Sequence, residues 1–182
     1  MSRSTVAKIE AGDTTDPGFS VVARLLAAVG ASDEEVLALH RGTVCARQPS
    51  IFGIGYEGLD LPGLIKDLHR LHVTVVADVR LTPLSRKKGL SKSALRDGLA
   101  AANIGYVHLP ALGNPKENRA GYSDPGNERV RDSYRARLTT SPAGAHLAEL
   151  RRLAEEEVVA VLCFESDERQ CHREQVLAAV AS

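Results

Sequence analysis

The chain has 182 residues, 43% of them hydrophobic and 25% charged, and a formal net charge of zero. This is the composition of a globular protein with room for one ordinary domain and a small appendage. It excludes a membrane span, since no apolar run approaches about 20 residues, and a disulfide framework, since three cysteines are too few.

Residues 1–5 lack the apolar core of a signal peptide, so a cytoplasmic location with no membrane partner is expected. The charge is unevenly placed. Asp78 to Arg137 carries a basic surplus of six, and Glu149 to Glu174 an acidic surplus of four. A basic middle favours an anionic small molecule or a nucleic acid as partner. Two ordinarily solvated faces would look the same.

Residues 1–42 read as a separate helical segment. Ser4 to Ala11 is a short helical run closed by Gly12. Asp16-Pro17 opens a second helix with Val21, Val22, Leu25, Leu26 and Val29 at helical spacing, and Gly30 stops it. Ser32-Asp33-Glu34-Glu35 is a capping-box pattern before Val36, Leu37 and Leu39. Ser2 to Gly12 resembles the recognition helix of XRE (lambda-repressor-like) helix-turn-helix domains, and the Pro17 helix resembles the one that follows it. The resemblance covers the second half of such a domain. Without the helix that braces a recognition helix on the duplex, a remnant or truncated motif is expected rather than a working DNA reader. If the segment meets DNA, Arg3, Ser4, Thr5 and Lys8 face it. Residues 43–50, with Pro49, form a linker in which Cys45 is incidental.

From Ile51 onward strands and helices alternate. Apolar runs at Ile51–Tyr56, Val73–Val79, Ile104–Leu109 and Val158–Phe164 read as strands. Helices are expected over Leu59–Leu71, Ser91–Ala102 (Ser91 a natural N-cap), Glu128–Leu138, Ala143–Glu157 and from Glu174 onward. Residues 113–127, rich in Gly, Asn and Pro, read as a functional or mobile loop. The pattern predicts an α/β fold over residues 51–182, a mostly parallel sheet of about four strands with helices on both faces. Sheet order is not legible.

In a parallel sheet the carboxyl ends of all strands share one edge, where such folds place their ligands. That edge should gather Tyr56, Asp78 and Arg80 with Arg86 behind them, His108, Gly113, and Cys163 with Glu165, Cys171, His172 and Arg173. His108 reads as structural and the other histidines as helix-surface residues.

Four readings compete for the cysteine loop. The start of the last helix, with Arg80, Arg86 and Arg173, would hold a phosphate or carboxylate. Cys171 beside His172 would be a thiolate nucleophile. Cys163 and Cys171 would form a reversible disulfide. Cys163, Cys171 and His172 would hold zinc, which needs a fourth ligand the sequence does not supply; no metal and no cofactor are expected. Cys163 to Arg169 fits the C-x5-R spacing of a phosphatase loop, but Glu165, Asp167 and Glu168 would repel the phosphate.

Several pieces resemble the DUF488 family of bacterial domains of unknown function. They are Ile54-Gly55-Tyr56, Asp78-Val79-Arg80 with Pro83 and Ser85-Arg86, Tyr106 to Pro110 with Leu112-Gly113, and Leu162-Cys163 with Glu165 and Cys171-His172-Arg173. Tyr56 departs from the pattern, where histidine is more frequent. The resemblance implies a small α/β domain of undefined activity. The expected function is binding of a phosphate-bearing ligand by Arg80, Arg86, Arg173, Glu165, Tyr56 and Gly113. Thiol chemistry would come from Cys171 or Cys163, with Asp78 as acid/base or as the group that orients Arg80, and with His172. The alternative is a non-catalytic, DNA-associated ligand sensor. Homo-oligomerisation is compatible with either.

Overall fold

A computed structural model of the protein describes residues 50–182. The helix-turn-helix-like segment with Arg3, Ser4, Thr5 and Lys8, His40, and the linker with Cys45 lie outside the described residues.

The strands are β1 (Ser50–Gly55), β2 (Val75–Asp78), β3 (Gly105–His108) and β4 (Val158–Cys163). The helices are α1 (Leu61–Arg70), α2 (Lys92–Ala101), α3 (Lys116–Arg119), α4 (Glu128–Leu138), α5 (Ser141–Glu156) and α6 (Arg173–Ala181). All strand pairs are parallel, in the order β1-β4-β2-β3.

The last strand in sequence is therefore internal, and its composition explains why. Every residue of Val158–Cys163 is buried. Val159, Val161 and Cys163 enter a core with Tyr134, Leu147, Leu150 and Val176 from α4, α5 and α6. Val158, Ala160 and Leu162 enter the other core with Leu64, Leu68, Leu95 and Leu99 from α1 and α2. A strand's side chains alternate between faces, so only a continuously apolar run can be covered by helices on both sides.

Local signals set most boundaries. The Asp60 carboxylate accepts from the Gly63 amide at 2.9 Å and caps α1. The helix then buries Leu64 and Leu68, one turn apart. His72, with φ of 55°, turns the chain back towards the sheet instead of lying on a helix surface. Ser91 stands at the cap position of α2 but makes no side-chain cap hydrogen bond.

Residues 113–127 depart furthest from expectation. They hold α3 and a 3₁₀ turn, Ala120–Ser123, not an open loop. One aromatic anchors them: the Tyr122 ring meets Tyr134 edge-on at 6.2 Å, and its hydroxyl donates to Gln175 Oε1 at 2.9 Å. A segment held by a few isolated buried side chains, Asn114 and Tyr122, shows no periodicity, which is why it reads as loop. Among the described residues no helix is long and apolar enough to cross a membrane.

Candidate functional site

The parallel register aligns the strand ends. Gly55 pairs with Cys163 and Asp78 with Leu162, while the Tyr56 amide donates to the Cys163 carbonyl at 3.3 Å. The segment leaving β4 folds back over the end of β1. A Cβ on Gly55 would lie 1.9 Å from the Glu165 carbonyl oxygen, so this crossing requires glycine there.

Behind the edge, Asp78 is fully buried. Its Oδ1 accepts from the Arg80 amide at 3.0 Å and Nε at 2.9 Å, and its Oδ2 from Arg80 Nη2 at 2.6 Å and the Tyr106 hydroxyl at 2.8 Å. Arg80 Nη1 donates to the Tyr56 hydroxyl at 3.0 Å and the Leu90 carbonyl at 2.8 Å. Burial would lower the Arg80 pKa, but Asp78 outweighs it and the arginine stays charged. Burial, then Asp78, raises Tyr106. The charge of Arg80 is thus largely cancelled where it meets the site. Asp78 holds Arg80 with both carboxylate oxygens.

In front stand two thiols and one imidazole, with Cys163 6%, Cys171 1% and His172 5% exposed. His172 Nδ1 lies 3.7 Å from Cys171 Sγ and 4.0 Å from Cys163 Sγ. Its Nε2 lies 3.3 Å from the Val79 carbonyl oxygen. A carbonyl only accepts, so Nε2 carries a proton, and Nδ1 is the ring atom that faces the sulfurs, an acceptor in the neutral ring and a donor in the imidazolium. Arg173 Nε donates to Cys171 Sγ at 3.3 Å, and its Nη2 to the Glu165 carbonyl.

Burial alone would raise the Cys171 thiol. The hydrogen bond from Cys163, then His172 and Arg173, reverse this and lower it well below an ordinary cysteine. Cys163 moves the other way: its hydrogen bond to Cys171 and its burial keep it protonated. Burial, then Cys171, raises Glu165, whose Oε2 is sealed without a hydrogen-bond partner.

These groups open on a cavity of ≈ 250 Å³. Cys163, Glu165, Cys171 and His172 form one wall, and Tyr56 and Arg80 a second. Asn114, Arg119 and Tyr122 close the third. Leu84 and Phe164 also line the cavity, and they are among the exposed large hydrophobic side chains.

A family model, that of the domain of unknown function DUF488, matches residues 61–180. The chain belongs to the DUF488 family. No curated protein and no solved structure matches it. The match spans the six helices of the described residues, except for Ala181 at the end of α6, and every residue that lines the cavity except Tyr56.

Within this DUF488 domain the expected residues divide. Tyr56, Arg80, Cys163, Glu165, Cys171 and His172 line one cavity. Arg173 lies behind it as a donor to Cys171. Gly113 is a packing position: a Cβ there would come 2.4 Å from the Leu81 backbone. Arg86 is exposed and does not line this cavity, while Lys87 donates to the carbonyls of Tyr56 and Leu59 at 3.2 and 3.1 Å. Arg169, the end of the C-x5-R spacing, pairs outward with Asp167 at 2.9 Å.

His108 spans Lys92 Nζ and the Arg80 carbonyl, a structural role. His69 and His146, expected as surface residues, bond the Ala102 carbonyl and the Ala111 amide. Asn114, Arg119 and Tyr122 were not individually legible; the polar stretch at 113–127 marked only their neighbourhood.

Proposed function

We propose that the cavity is an active site for thiolate chemistry on a small anionic, phosphate-bearing substrate. The observation that supports this most is Arg173 Nε at 3.3 Å from Cys171 Sγ, in a cavity wall shared with His172. A buried cysteine flanked by two cationic or donor groups is held as thiolate, the nucleophilic form. Arg119 spends only its Nε, on the Asn114 carbonyl at 2.8 Å, and offers its terminal nitrogens to an anion. Arg80, already neutralised by Asp78, contributes shape and hydrogen bonding more than charge.

Cys171 Sγ would attack the electrophilic centre of the substrate. The bond to the leaving group breaks, and its electron pair departs with a proton from Glu165, the carboxyl that burial and Cys171 keep protonated. Water, giving its proton to the Glu165 carboxylate, would then cleave the sulfur adduct and return the thiolate. Alkylation of the full chain, treated with chelator and followed by mass spectrometry across pH, tests this. Cys171 should react first and keep reacting well below a free thiol's pKa of about 8.5. If it labels like free cysteine or not at all, the cavity only binds.

A further inference from the structure

We infer that Cys163, Cys171 and His172 bind a single zinc ion, with the fourth coordination position facing the cavity. The ligand atoms of the three residues all lie within 4.8 Å of one another, and all three residues are buried. Zinc bonds of about 2.3 Å to sulfur and about 2.0–2.1 Å to nitrogen, at tetrahedral angles, separate sulfur from nitrogen by about 3.6 Å. The distances found from His172 Nδ1 are 3.7 Å to Cys171 Sγ and 4.0 Å to Cys163 Sγ. The end of β4 and the two residues before α6 therefore already hold both sulfur–nitrogen pairs close to the separation that a shared zinc ion requires.

Two further observations point to a cation there. His172 turns Nδ1 to both sulfurs because Nε2 is tied to the Val79 carbonyl at 3.3 Å. Such an outer hydrogen bond fixes the ring of a metal-ligating histidine. Beside them the Glu165 Oε2 is sealed and unpartnered. Three protein ligands with one exchangeable position make up a zinc site that admits a ligand. Two thiolates and an imidazole select Zn²⁺ over the harder Mg²⁺ and Ca²⁺.

The inference goes beyond the reading above but shares its sulfur, so metal and electrophile exclude each other at Cys171. The test uses the full chain freed of metal with chelator. Zn²⁺ should bind one equivalent with sub-micromolar affinity in competition with a chromophoric chelator. Co²⁺ in its place should show the intense absorption and the sulfur charge-transfer bands of tetrahedral thiolate coordination, a readout that needs no variant. Cys45→Ser should keep the one equivalent. His172→Ala should weaken binding by more than about 100-fold, beyond what loss of an outer-shell partner costs.

Absence of binding, or binding that survives Cys163→Ser and Cys171→Ser together, overturns the inference. If metal-free Cys171 still alkylates at low pH while Zn²⁺ fails to bind, the zinc site falls and the thiolate reading stands. If Zn²⁺ binds and protects both thiols, yet free Cys171 reacts like ordinary cysteine, the zinc site stands and the thiolate reading falls.

Discussion

The Asp78 carboxylate grips the Arg80 guanidinium with both oxygens, at 2.9 Å to Nε and 2.6 Å to Nη2, although neither side chain has appreciable contact with water. Removing one member of such a pair leaves a charge in a medium that cannot solvate it, at a cost of about 3–5 kcal/mol. Asp78→Asn should therefore lower unfolding free energy by that order in urea titration. Replacing both residues, Asp78→Leu with Arg80→Met, should recover part of the loss. A double variant no more stable than Asp78→Asn would show that the hydrogen bonds to Tyr56, Tyr106 and Leu90, not the charge pair, hold this corner together.

Two glycines make an internal comparison. A Cβ at Gly113 would meet the Leu81 backbone at 2.4 Å, and backbone cannot swing aside as a side-chain tip can. Gly113→Ala should destabilise by about 1–3 kcal/mol and push Leu81, a cavity residue, out of place. Gly144, in α5, has nothing within 4 Å of the same hypothetical atom. Gly144→Ala should stabilise by about 0.5–1 kcal/mol, because alanine loses less backbone freedom in a helix. Thermal melts of both variants check the opposite signs.

β4 was legible because a strand covered on both faces must be apolar throughout, and Val158–Cys163 is. The convergence of Tyr56, Arg80 and the two thiols followed from parallel strands ending on one rim, and needed no knowledge of strand order. Direction within loops was not legible. Ser85-Arg86-Lys87-Lys88 offers three adjacent cations, and the one that turns inward is Lys87, through carbonyls that no pattern announces. Asn114 and Arg119 reach the cavity because Tyr122 is buried 53 positions before its partner Gln175. Long-range anchors of this kind leave no periodic trace.

The loop after β1 is tied to the loop after β4 by a pH-dependent clasp. Glu57 Oε2 accepts from the Ser166 amide at 3.1 Å and from its hydroxyl at 3.0 Å. The backbone hydrogen bond, then the hydroxyl, lowers the Glu57 carboxyl below the usual carboxylate range. A depressed carboxyl contributes above its unfolded pKa of about 4.3 and is lost as pH falls through the lower folded value. An NMR titration should place the Glu57 midpoint below about 4.3. Ser166→Ala should move it partway back, keeping the amide contribution. A midpoint unchanged by the variant would exclude the hydroxyl.

Cys163 and Cys171 are predicted to ionise as a pair in which one thiol holds its proton for the other. After burial, which opposes it, the hydrogen bond from Cys163 is the largest influence on Cys171, ahead of His172 and Arg173. Cys163→Ala removes that donor and leaves burial in place, so the Cys171 midpoint should rise towards about 8.5. In chelator-treated protein, the alkylation rate of Cys171 should then fall as pH drops from about 8 to 6, where the unmodified protein stays nearly flat. Alanine is smaller than cysteine and opens little space beside Tyr134, so a thermal melt should show a modest loss at most. If Cys171 in this variant keeps a low midpoint, His172 and Arg173 suffice to hold the thiolate, and the second thiol serves another purpose.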